Sequence, residues 1–355
     1  MMPPPAPPRV HQTRTDSHVR DVTVDRDSTV RGTNDDATVS KLSCAQLGYL
    51  KDDFVRHFVR RPVKRAPIIN RGYYSRVTAM RSFLDAFLAA VSEKPKQVIS
   101  LGCGFDTTFF QLAADGKCPA KYIELDYQQV TAKKTEVIMS NVSLNSLLVP
   151  LEGDPPPSAG QGEVLSQHYY LIPADLRDTK GIEGALARAG FDPCFPTLFI
   201  AECVLVYLPP EASQRLVQWC ADTCRDAVGF VLYEQIKPDD AFGKQMLINL
   251  ERRDIFIPGI HSTPSLEAQK ARFTSAGWTG RVEALDMFRI HSGLDVEDVQ
   301  RANRLEIFDE FEEWQLIQEH YCIAYAVHRD ETGLFENFKF KESGGRARPF
   351  RRSSG

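Results

Sequence analysis

From residue 96 to residue 328 the chain repeats one pattern, a short apolar run followed by a helical stretch. The runs are QVISLGC, KYIELDY, HYYLIPADL, TLFIAECVLVYL and AVGFVLYEQI, with RVEALDMF and HYCIAYAVHR read as the last two strands. Such short apolar runs fit strands buried on both faces, and the helices between them let successive strands run parallel. The pattern predicts an α/β domain with a parallel sheet covered on both sides. Sheets of this kind bind ligands at the carboxyl ends of their strands, near the point where strand order reverses.

The flanks read differently. Residues 38–93 are helical in pattern, with Val77, Met80, Phe83, Leu84, Phe87, Leu88 and Val91 recurring at helical spacing before Pro95. Residues 1–35 are rich in Pro, Arg, Asp, Thr and Ser, and are expected to lack structure. The Pro/Gly-rich stretch at 150–163 reads as a surface loop. The expected division is a disordered tail over 1–35, a helical cap over 36–95, a core over 96–330 with a helical insert near 237–278, and a tail over 331–355.

Charge and cysteine usage narrow the function. The net charge of −4 supplies no basic field, so nucleic acid is not an expected partner. No apolar run has the length of a membrane span, and MMPPPAPPRVHQTRT lacks the apolar region of a secretory signal. The eight cysteines are scattered with no CxxC pair. Cys220 and Cys224 share one helix face and read as buried rather than as metal ligands. A reduced, intracellular protein without a metal is expected.

The stretch VISLGCGFDTTFFQL carries the first chemical signal. Gly102 and Gly104 end the first strand, where glycine lets a ligand approach the backbone closely. Asp126 ends the second strand, 22 residues after Gly104, in position to accept two ribose hydroxyls. The dinucleotide fingerprint needs a third glycine where this chain has Thr107. A nucleoside without a pyrophosphate fits better, which favours S-adenosylmethionine over NAD. Asp175, in ADLRD, reads either as a reader of the adenine edge with the Leu176 N–H or as a helix N-cap. Glu202 is a carboxylate inside an apolar run, costly unless partnered, and reads as a contact to the cofactor's cationic end. Lys41, Arg71 and Arg76 read either as carboxylate grips or as surface charges.

Taken in order, NRGYYSRV, SLGCGFDTTFF, YIELDY, ADLRD and LFIAECVLVYLPPE resemble the leucine carboxyl methyltransferase family, over residues 31–329. The resemblance implies a class I S-adenosylmethionine-dependent methyltransferase: a Rossmann-like seven-stranded sheet with added N-terminal helices and an insert over the site. It implies methyl esterification of the C-terminal leucine carboxylate of the protein phosphatase 2A catalytic subunit, by a cytoplasmic monomer. It also implies that Lys41, Arg76, Gly102, Asp126, Asp175, Leu176 and Glu202 contact the cofactor. Arg76 would hold the methionine carboxylate, Asp126 the ribose, and Asp175 with Leu176 the adenine. Tyr207 and Arg71 are the candidates to orient the acceptor carboxylate. Relatives in tRNA wybutosine synthesis carry a kelch-like repeat extension, and no such repeats occur here, which favours the phosphatase role. The alternatives are a methyltransferase for small carboxylic acids and a phosphatase-binding module without catalysis.

Overall fold

The computed structural model describes residues 17–151 and 162–341. Eight strands form one sheet in the order β3-β4-β2-β1-β5-β6-β8-β7. They are β1 (Gln97–Leu101), β2 (Lys121–Asp126), β3 (Val164–Leu165), β4 (Tyr169–Pro173), β5 (Thr197–Glu202), β6 (Val228–Gln235), β7 (Val282–Asp286) and β8 (Tyr321–His328). Strands β4, β2, β1, β5 and β6 run parallel, while β8 lies antiparallel between β6 and β7. Seven of these match the runs read from the sequence. The eighth, β3, is a two-residue edge strand paired antiparallel to β4.

Every residue of β1 and of β6 is buried, as the unbroken apolar runs require. The chain builds outward from β1 through β2 to β4, then returns to place β5 on the other side of β1. The strand order therefore reverses between β1 and β5. The carboxyl ends of these two strands flank one crevice, with Gly102 just after β1 and Glu202 as the last residue of β5.

Four helices matter for the site: α1 (Ser17–Gln46), α2 (Pro67–Ala89), α3 (Thr108–Ala114) and α4 (Gln128–Ser140). Pro67 opens α2, where its missing N–H costs nothing. Met80, Phe83, Leu84 and Phe87 bury one face of α2 against the sheet. The helix ends at Ala89, so Val91 lies beyond it and is 96% exposed.

Helix α1 corrects the expectation for 1–35, because residues 17–35 are helical. Its polar sequence has little intrinsic drive to form a helix, and tertiary contacts hold it. Thr38, Leu42 and Cys44 are buried, and Asp27 pairs with Arg177 at 2.9 Å. The start of the expected C-terminal tail is also packed, with Leu334, Phe335 and Phe338 in the main core. Residues 1–16, most of the Pro/Gly-rich loop and 342–355 lie outside the described residues. The expected insert contains helices Ala241–Glu251 and Leu266–Ser275. No described helix is long and apolar enough to cross a membrane.

Candidate active site

The loop after β1 is shaped by its glycines. Gly102 and Gly104 have φ of +65° and +52°, which L side chains rarely adopt. A Cβ on Gly102 would meet Val204 at 2.7 Å, and one on Gly104 would meet Asn34 at 2.5 Å. Substitution at either position therefore forces the loop or its neighbours to move. Asp126 fixes the same loop from β2. Its two carboxylate oxygens accept the backbone N–H groups of Gly104 and Tyr127, each at 2.7 Å. Burial raises the pKa of this carboxyl, and the two N–H groups oppose that rise. Each oxygen keeps a lone pair for a further donor.

A cluster of four charges lies beside the loop. Lys41 of α1 reaches Asp106 at 3.1 Å and Glu202 at 3.3 Å. Arg76 of α2 pairs with the other oxygen of Glu202 through its Nε. Its guanidinium lies 4.6 Å from the centre of the Tyr233 ring and 5.3 Å from that of Tyr73. Burial disfavours the charge on Lys41, but Glu202 and Asp106 outweigh it and raise its pKa. Burial likewise disfavours charge on Glu202, yet Arg76 and Lys41 hold its carboxyl below the ordinary value. The cluster is thus ionised and internally neutral. It can offer cations to one end of a zwitterion and carboxylates to the other.

Two cavities meet at Gly102 and Asn34. The larger, of about 1190 Å³, is lined by Lys41, Arg76, Gly104, Asp106 and Glu202 among others. The smaller, of about 60 Å³, is lined by Asp126, Tyr127, Leu176 and Tyr207. The structure thus gathers Lys41, Arg76, Gly102 and Glu202 around one space, and Asp126, Leu176 and Tyr207 around the adjoining one.

Two sequence candidates stand apart. Arg71 is turned away from both cavities: its guanidinium pairs with the Asn303 side chain and lies 4.3 Å from the centre of the Phe308 ring. Arg71 lines neither cavity. Asp175 lines neither cavity, and Arg177 holds it at 2.7 Å. The N-cap reading for it also fails, because the cap of the next helix is Asp178, which accepts from Lys180. Sequence reasoning missed Asn34, which closes over Gly104 from α1. Its signal was a spacing of three and four: Asn34, Ala37, Thr38 and Lys41 line the large cavity together.

An α/β sheet with a glycine loop at the strand-order reversal, an acid ending β2 and a zwitterion-matched charge cluster defines an S-adenosylmethionine-dependent methyltransferase. Residues 29–221 match the model of the family described as leucine carboxyl methyltransferase. The chain is 48% identical over 317 residues to a leucine carboxyl methyltransferase 1 homolog of Arabidopsis thaliana, covering 89% of this chain and 94% of that one. It is 37% identical to the Rattus norvegicus leucine carboxyl methyltransferase 1, over 87% of this chain and 93% of the relative. It is also 38% identical to the tRNA wybutosine-synthesizing protein 4 of Homo sapiens, over 91% of this chain but 48% of that protein. The chain belongs to the leucine carboxyl methyltransferase family, and S-adenosylmethionine is its cofactor.

The donor set fits that cofactor: one buried carboxylate with spare lone pairs, two glycines without room for a Cβ, and a paired cluster of both signs. Replacing Asp126 by Ala is expected to weaken binding of S-adenosylmethionine tenfold to a hundredfold, the loss of about 1–3 kcal/mol of hydrogen bonding. Calorimetry measures it. Unchanged affinity with a collapsed melting temperature would make the residue structural only.

Proposed function

We propose that this chain methylates the C-terminal leucine carboxylate of the protein phosphatase 2A catalytic subunit, acting as a cytoplasmic monomer. The observation that supports a carboxylate acceptor is the match to leucine carboxyl methyltransferases over most of the chain. Among the described residues lining the cavities there is no histidine, so a base would have to come from carboxylates such as Asp52 or Asp106. A C-terminal carboxyl ionises near pH 3.3–3.7 and needs no base at neutrality, unlike a hydroxyl or amine acceptor.

Arg76 and Lys41 would hold the methionine carboxylate, Glu202 its ammonium group, Asp126 the ribose, and Leu176 with Asp175 the adenine. Asp175 takes that role if Arg177 releases it. When bound, S-adenosylmethionine supplies an electrophilic methyl group on a sulfonium. The chain's own task is alignment and exclusion of water, and alignment alone contributes up to about 7–11 kcal/mol. Opposite charges on acceptor and sulfonium cancel as the reaction proceeds, so a dry site favours it.

Tyr207 is the residue left to orient the acceptor. Burial raises its phenol well above the ordinary tyrosine value, so it remains an O–H donor. A neutral donor orients the carboxylate without the grip of a cation, which would lower its nucleophilicity.

Labelled S-adenosylmethionine tests the proposal against four acceptors: the catalytic subunit, the same subunit lacking its terminal leucine, small carboxylic acids, and tRNA. Labelling of the first alone is expected. Labelling of tRNA or of small acids in its place would overturn the reading. Turnover of the protein acceptor is expected to stay nearly flat from about pH 6 to 8. A steep rise centred near pH 7 would show a required base and a different acceptor.

A further inference from the structure

Beside the cavities, on the outer flank of α1, two loops bring cations together. Asp36 lies between Asn34 and Ala37, which both line the large cavity. It pairs with Arg65 at 3.3 Å and also with Arg253, at the end of the Ala241–Glu251 helix. Lys64 pairs with Glu306 at 3.2 Å. Arg60, Arg61 and Arg252 are exposed, and among the described residues none of the three has an ion-pair partner. Arg61 is four residues from Arg65, so chain length alone keeps the two within about 14 Å. Glu251 and Asp254 are the other acids on these loops.

The local balance is six cations against four acids, on a chain whose net charge is −4. Nothing in the cofactor chemistry uses this excess.

We propose that Arg60, Arg61 and Arg252, with the Asp36-tethered Arg65 and Arg253, form a docking rim for an acidic segment of the protein acceptor, upstream of the carboxylate to be methylated. This rests on the reading that the acceptor is a protein C-terminus. The interspersed acids disfavour nucleic acid, whose phosphates call for a continuous basic stripe. They suit a discrete peptide, which meets separate arginines with separate carboxylates. Such a rim acts on encounter and register, so it controls KM for the acceptor and its salt dependence, and leaves the chemical step unchanged.

The test uses the full chain with Arg60→Glu, Arg61→Glu and Arg252→Glu combined, and a second variant with Gln at the same three positions. The acceptor is intact phosphatase catalytic subunit. The Glu variant is expected to lose tenfold or more in kcat/KM for that acceptor, with an unchanged KM for S-adenosylmethionine. The Gln variant loses less. Wild-type kcat/KM falls as salt rises from about 50 to 300 mM, and the Glu variant's does not. An acceptor whose tail Asp and Glu residues are changed to Asn and Gln shows the same loss with wild type, and no further loss with the Gln variant. A Glu variant within twofold of wild type on the catalytic subunit overturns the proposal. So does binding of tRNA by the wild type that the Glu variant loses while its rate on the phosphatase subunit stays intact. Failure of the wild type to label the subunit at all would count against the acceptor assignment instead.

Discussion

Replacing Lys134 by Met is expected to destabilise the fold by about 3–5 kcal/mol, because it strands a buried carboxylate. Lys134 on α4 and Glu124 on β2 are both 0% exposed and lie 2.5 Å apart. Burial opposes the ammonium charge, but the acidic neighbours, Glu124 first and then Asp106, together outweigh it and keep Lys134 protonated. The other Glu124 oxygen has no hydrogen-bond partner among the described residues, so Lys134 and the Tyr169 hydroxyl at 2.6 Å carry its whole satisfaction. Lys134 has a second task. It donates to the Asp106 carbonyl at 2.7 Å, in the loop that follows the two glycines. Differential scanning calorimetry should show a melting temperature lower by about 4–7 °C. Changing both partners, Lys134→Met with Glu124→Gln, removes the stranded charge and should restore most of the stability. The Asp106 carbonyl still lacks its donor, so cofactor affinity should stay reduced in the double variant. Recovery of both quantities together would show that the pair supports the core and not the loop.

What the sequence disclosed follows from how each element is held. Strands β1, β2, β4, β5 and β6 were legible because two-sided burial makes each an apolar run that stops at a polar or glycine residue. The same stops placed Gly102, Asp126 and Glu202 at the strand ends, where they line the site. The part of α1 before residue 36 was hidden because its stability is tertiary: the polar residues that make it look unstructured include Asn34, which closes the cavity together with Lys41. The two arginines of α2 show a different limit. Positions 71 and 76 are five apart, about 140° around a helix, so one at most can face the sheet end. Choosing between them needs the position of helix Val296–Asn303, whose last residue binds Arg71 across a separation of 232 residues in the chain. In the same way, Glu124 is visible as an acid inside a strand, but its partner ten residues on is fixed only by the packing of α4 on the sheet.

Arg76→Lys is expected to weaken cofactor binding about a hundredfold while keeping the charge. The side chain does three things at once. It pairs with Glu202 through Nε, it leaves the remaining guanidinium N–H groups free to hold a carboxylate, and its flat face lies against Tyr233. Lysine offers one compact ammonium with no planar fork, so it can serve Glu202 or an incoming carboxylate but not both in the same geometry. The lost bidentate contact and the lost ring contact together are worth roughly 2–3 kcal/mol, which is the hundredfold. Glu202→Gln provides the complementary measurement. It leaves Arg76 and Lys41 as two buried cations with Asp106 as the remaining acid, so the site gains one positive charge. Binding of the zwitterionic cofactor then loses the partner for its ammonium group, and S-adenosylhomocysteine should lose as much as S-adenosylmethionine, because both share that group. Affinity from calorimetry and KM for each substrate separate the roles. A defect from Arg76→Lys confined to the KM of the protein acceptor would assign Arg76 to the substrate leucine, and the cation cluster would then belong to the acceptor side of the site.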